Sequence, residues 1–186
     1  SLISSLTTPT YLLYLKDNIT KDLGLIVLLF IPSSILALFL PKKFGSFSDK
    51  YGRVKIVIIG ILINALLQIF IPLNKAYYNF MILYTLISLV AMFYGPAFSS
   101  LIIDFVGEDK RGRSYGLYNF ATGIGGAIGP IMGSYIYENL GHDLVFFVKG
   151  GLLIVAVGII ALIYIKVKAQ GKNKIMEIRW YHGKTK

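Results

Sequence analysis

The chain has 186 residues, of which 55% are hydrophobic and only 15% charged, with a mean hydropathy of +0.68. Soluble domains are about 45–50% apolar, and so short a chain cannot hide this much apolar surface in one core, which excludes an ordinary soluble enzyme or binding module and points to lipid. There is no cysteine, so disulfides, thiol nucleophiles and cysteine-ligated metals are excluded within this chain; only His142 and His182 are present, which leaves little for a zinc site, and no metal or cofactor is expected.

A membrane-spanning helix needs about 20 mostly apolar residues. In chain order six segments qualify as candidates: 2–15, 23–41, 56–73, 76–103, 114–137 and 144–165. Lys149 is the one charged residue inside them. The runs are too long for strands and show no strict alternation, so helices are predicted rather than a barrel. The first segment is short, because fourteen helical residues rise about 21 Å against a hydrocarbon core of about 30 Å. The chain also opens on Ser1 and lacks the basic start of a signal peptide. The expectation is a truncated first helix and a fragment of a longer protein. Residues 1–166 then form a six-helix membrane domain and 167–186 a basic tail, free or resting on anionic lipid.

Charge placement predicts orientation. The first, third and fifth connections hold Lys16, Lys21 and Lys75, the fifth having no basic residue, whereas the second, the fourth and the tail hold fifteen. Such an excess marks the cytoplasmic side. The tail is therefore expected in the cytoplasm, with the protein in the cell membrane. The net charge of +10 is a topology signal rather than a nucleic-acid surface, so no nucleic-acid partner is expected. The terminal Gly183-Lys184-Thr185 and the pair Gly123 and Gly125 mimic nucleotide-binding motifs, but Ile178 and Ile128 stand where further glycines are needed.

The second connection contains Gly45, Asp49, Gly52, Arg53 and Lys55. Glycine permits a tight reversal, a carboxylate suits a helix N-terminus, and arginine pairs with a carboxylate or with helix-end carbonyls. A helix cap with ordinary positive-inside charges also explains these residues. Gly-x-x-x-Asp-x-x-Gly-Arg between two membrane helices nevertheless resembles the signature loop of the major facilitator superfamily. The fourth span carries Gly95-Pro96-Ala97, and Asp104 follows at its cytoplasmic end, then Arg111 and Arg113. The fifth carries Gly125, Gly129, Pro130 and Gly133. This resembles the glycine-proline helix of the same superfamily: the three glycines share one face for close packing, and the proline removes one helix hydrogen bond and permits a bend.

The resemblance implies an all-α integral membrane protein, a six-transmembrane-helix bundle forming half of a major-facilitator-type fold with an inverted three-helix repeat. The basic tail after the sixth helix suggests the C-terminal half, with a missing N-terminal six-helix half as partner, beside the lipid bilayer and a small-molecule substrate. By the family pattern the first, second, fourth and fifth helices line the substrate cavity, which nominates Thr8, Tyr11, Ser34, Tyr84, Ser88 and Asn119, with Thr7, Ser33, Tyr94 and Thr122 nearby. Each could instead bond its own backbone or a neighbouring helix. Asn64 and Gln68 share a face of the third helix and read as interhelical glue. Lys149 is five residues into its span and is expected to snorkel to the interface. The implied function is secondary active transport of a drug-like compound or metabolite by alternating access. Asp49 and Arg53 would hold the inner gate, and no enzyme activity is expected. A non-transporting membrane scaffold, or an inactive remnant of a transporter, is the alternative.

Overall fold

The computed structural model describes the backbone of residues 2–106 and 111–183, and the side chains of 2–40, 44, 52–102, 112 and 115–166. The described chain forms α1 (Leu2–Ser5), α2 (Thr8–Asn18), α3 (Leu23–Tyr51), α4 (Arg53–Phe70), α5 (Tyr77–Val106), α6 (Arg111–Leu140) and α7 (Leu144–Gly183).

Three features differ from the predicted boundaries. The single helix expected over 2–15 is broken into α1 and α2 at Leu6 and Thr7. Pro9 has no N–H to give the Ser5 carbonyl, and its ring crowds that carbonyl, so the first helix stops. Thr7 takes the N-cap position of α2 without a side-chain cap bond, because its hydroxyl accepts a hydrogen bond from Lys149 instead. The connection expected after residue 41 is also largely helical: α3 runs on through Pro32 and Pro41 to Tyr51. Charged residues leave the hydrocarbon but do not break a helix. The break comes at Gly52, whose φ of +93° is open to glycine and strained for other residues. At the other terminus α7 has no break at 166 and continues to Gly183.

Four helices of the described chain contain stretches long and apolar enough to cross a membrane: Leu23–Leu40, Arg53–Phe70, Tyr77–Ile102 and Leu144–Lys166. The 30-residue α6 is long enough at about 45 Å, but glycines and polar side chains lower its hydropathy. Large apolar side chains point outward in number. Leu38 is 77% exposed, Ile131 70% and Leu162 69%, the inverse of a soluble domain and the surface that a bilayer solvates.

The packing is partly symmetric, although α4 also packs extensively on α5 where α7 barely meets α1. The second long helix of each set of three packs on the first of the other set: α3 lies against α5, and α6 against α1 and α2. The third members, α4 and α7, pack on one another. Small residues permit the tightest approaches. A Cβ on Gly60 would come within 2.6 Å of the Cβ of Tyr94, and one on Gly150 within 3.0 Å of the Ala65 carbonyl. One buried cluster, around Tyr14, Phe80 and Phe146, closes the end of the bundle near Asn18. A second, around Val57, Ile61 and Ala97, lies toward the Gly52 end.

Candidate functional site

Between the two clusters lies a half-open cavity of about 230 Å³, lined by α1 (Ser4), α2 (Tyr11), α4 (Asn64, Gln68), α5 (Tyr84, Ile87, Ser88, Ala91, Tyr94) and α7 (Lys149, Leu153). Helical periodicity explains how these residues meet. Asn64 and Gln68 are four apart, as are Lys149 and Leu153, so each pair shares one face. The α5 residues follow the same stripe over nearly three turns.

Tyr11 is the hub. Its hydroxyl donates to Gln68 Oε1 at 2.8 Å. Its ring meets Tyr84 edge-on with centroids 5.2 Å apart and packs against Phe146 at 5.5 Å. The amine of Lys149 lies 5.4 Å from the centroid of the same ring and donates to Thr7 Oγ1 at 2.5 Å. Lys149 is 7% exposed and Gln68 fully buried. Gln68 Nε2 has no hydrogen-bond partner among the described residues. A cation in a membrane interior is ordinarily paired with a carboxylate or with carbonyls. None of the described carboxylates pairs with Lys149: Asp143 accepts from Tyr14 at 3.0 Å and Asp17 from Tyr137 at 2.9 Å.

Lys149 was expected to reach the interface, and it turns inward instead. Two neighbours explain this. The break between α1 and α2 leaves the Thr7 hydroxyl free to accept, and the Tyr11 ring offers its negatively charged face to the amine. Asn64 and Gln68, expected as glue between helices, line the same cavity, and Gln68 does link α4 to α2 through Tyr11.

Of the residues nominated for the substrate cavity, Tyr11, Tyr84 and Ser88 come together here, with Tyr94 beside them. Thr8, Ser34 and Asn119 lie on exposed faces of α2, α3 and α6. The hydroxyls of Ser33 and Ser34 both donate to the Phe30 carbonyl, at 2.8 and 3.0 Å, and the Asn119 carbonyl accepts from Thr122 at 2.9 Å. The glycine face of α6 meets α1. The Ser5 hydroxyl donates to the Gly125 carbonyl at 3.0 Å, a Cβ on Gly129 would lie 2.7 Å from the Leu2 carbonyl, and one on Gly133 would collide with the Leu6 carbonyl. Pro130 lies inside α6, which continues through it. Of the signature residues, Gly52 forms the break between α3 and α4, and Arg53, half-buried, opens α4. Gly45 and Asp49 fall within the backbone of α3, Asp104 within α5, and Arg111 and Arg113 within α6. The side-chain environments of these five positions lie outside the described residues.

At the opposite end a polar latch joins distant parts of the chain. Besides the two Tyr–Asp bonds, Asn18 Nδ2 donates to His142 Nδ1 at 3.3 Å, and the His142 ring stacks on Tyr137 at 4.2 Å. No group of three His, Cys, Asp or Glu residues converges among the described residues, and the cavity offers binding groups rather than a nucleophile with its base.

Lipid-facing helices around a half-open polar cavity define a multi-pass, all-α integral membrane protein. The chain belongs to the Major Facilitator Superfamily, whose family model matches residues 1–179. It is 28% identical over 170 residues to the quinolone resistance protein NorB of Staphylococcus aureus, covering 89% of this chain and 35% of that protein. It is 27% identical over 144 residues to the multidrug resistance protein MdtG of Proteus mirabilis, covering 75% of this chain and 36% of that protein. The chain thus spans about a third of the length of these curated relatives. The family comprises membrane transporters rather than enzymes.

Proposed function

We propose that this chain serves secondary active transport of a small, drug-like solute across the cell membrane by alternating access, as one half of a larger carrier. The half-open cavity carries this reading. Polar and ionisable groups inside a membrane bundle are costly and generally mark a solute or ion path, and Tyr11, Gln68, Tyr84 and Lys149 converge on one space. Family membership supports it, as do the names of the relatives, which speak of resistance to quinolones and to multiple drugs.

The remaining parts fit the same scheme. The basic excess around the Gly52 end supports a cytoplasmic location for that end and for the C-terminus. Gly45, Asp49, Gly52 and Arg53, with Asp104, Arg111 and Arg113, would form the cytoplasmic gate. The Gly125, Gly129 and Gly133 face of α6 would slide or bend against α1. A companion six-helix half would cover the outward face of α6, which carries Asn119 and is less apolar than the other long helices.

The test is solute flux in proteoliposomes, together with substitution of Asp49. Asp49→Asn is expected to lower transport much more than membrane abundance. Equal losses of both would reduce the gate to a structural element, and a folded, reconstituted protein with background flux would favour the scaffold.

A further inference from the structure

The geometry points to the half-open cavity as a binding site for the carboxylate end of a solute with an aromatic or apolar body, held by Lys149 and Gln68. This rests on the transporter proposed above and names the chemical class of its cargo.

Two donor groups of this cavity are short of acceptors. A protonated lysine has three N–H bonds and a glutamine amide two. One from Lys149 goes to Thr7, and neither from Gln68 Nε2 has a partner among the described residues. The Tyr11 hydroxyl donates to the other end of the same amide. The described carboxylates nearest in the fold are engaged by tyrosines in the latch near Asn18. Leaving an amine and an amide unmatched in a membrane interior is costly. Water would satisfy the amide but would not balance the charge. A carboxylate does both, since its two oxygens accept from both groups and it stabilises the protonated lysine in return.

The shape selects the rest of the ligand. At about 230 Å³ the cavity exceeds the roughly 150 Å³ known to admit a benzene ring. Tyr84, Tyr94, Ile87 and Leu153 supply the apolar and aromatic wall such a body would contact. A bare inorganic anion would meet the amine and leave that wall empty.

The experiment compares benzoate with benzamide, which share a shape and differ in charge, by calorimetric titration of the whole protein in lipid nanodiscs and low-chloride buffer. Benzoate is expected to bind at least about tenfold more tightly. Lys149→Met is expected to abolish that preference while raising the melting temperature of the ligand-free protein, because an unmatched buried amine is gone. Gln68→Leu, which keeps the amine, is expected to weaken benzoate by about three- to tenfold. Equal binding of the two compounds, no binding, or an unchanged preference in Lys149→Met would overturn the assignment. A lower melting point in Lys149→Met would also overturn it, by making the lysine a structural strut. Chloride displacing benzoate at physiological concentration would make this an inorganic-anion site. If Lys149→Met fails to assemble, Gln68→Leu decides alone: weakened benzoate supports the assignment and unchanged benzoate defeats it. Solute flux without charge preference would defeat this assignment and leave the transporter standing, and charge preference without flux would do the reverse.

Discussion

Tyr11 touches every wall of the cavity that matters: the amide of Gln68 through its hydroxyl, Tyr84 and Phe146 through its ring edges, and the Lys149 amine through its face. Tyr11→Phe keeps the rings and removes one bond, stranding the Gln68 amide carbonyl in a buried site. A loss of about 1–3 kcal/mol in stability is expected, read as a lower melting point in nanodiscs. Gly52 makes a different kind of contribution. A Cβ there would meet nothing within 4 Å, so space is not the issue, but its φ of +93° is strained for any side chain. Gly52→Ala is expected to cost about 1–3 kcal/mol through backbone strain alone. Gly52→Asn is expected to recover little of that, since a ψ of +115° lies outside the left-handed helical region that asparagine tolerates.

Helices in this bundle meet through small residues, and the glycines are not equivalent. Gly133→Ala would drive a Cβ into the Leu6 carbonyl, whereas Gly126→Ala would enter open space. The first is expected to loosen the α1–α6 contact by about 1–3 kcal/mol. The second is expected to be neutral or slightly stabilising, by up to about 1 kcal/mol from helix propensity. A comparison of the two melting points checks this, and equal effects would mean that the α6 face does not bear on α1. The recurrence of Gly125, Gly129 and Gly133 was legible in the sequence, because period four puts residues on one face whatever their partner. Helix existence was legible too, since hydropathy reports burial in lipid directly. The partner of Thr7 at the Pro9 break was not, because it is Lys149, 142 positions away. Nor was the inward turn of Lys149. A run that is apolar on all sides gives no rotational phase, so only the neighbouring helices decide which way α7 presents its one cation. Asn64 and Gln68 were visible as a pair, but what they faced was not.

At the scale of the whole molecule, the sidedness inferred from charge is open to direct measurement, because the chain has no cysteine to remove first. Lys55 and Lys75 flank α4 at its two ends, and both are exposed. In intact cells, an impermeant maleimide is expected to label Lys75→Cys and to spare Lys55→Cys until the membrane is opened. The reverse pattern would invert the bundle and move the basic clusters outside.

The bonds that join α1 and α2 to α6, α7 and the turn between them also bear on how the protein is made. Lys149 reaches back to Thr7, Gly125 to Ser5, Asp143 to Tyr14 and Tyr137 to Asp17, spans of 120 to 142 residues. During synthesis α1 and α2 enter the bilayer with a proline break, an uncapped helix start and buried-type tyrosines, and their partners do not yet exist. They must wait, held by lipid or by an insertion chaperone, until α6 and α7 emerge. Until α6 and α7 are translated, the polar groups of α1 and α2 therefore lack their partners in this bundle, and quality control would meet the nascent chain in that unmatched state.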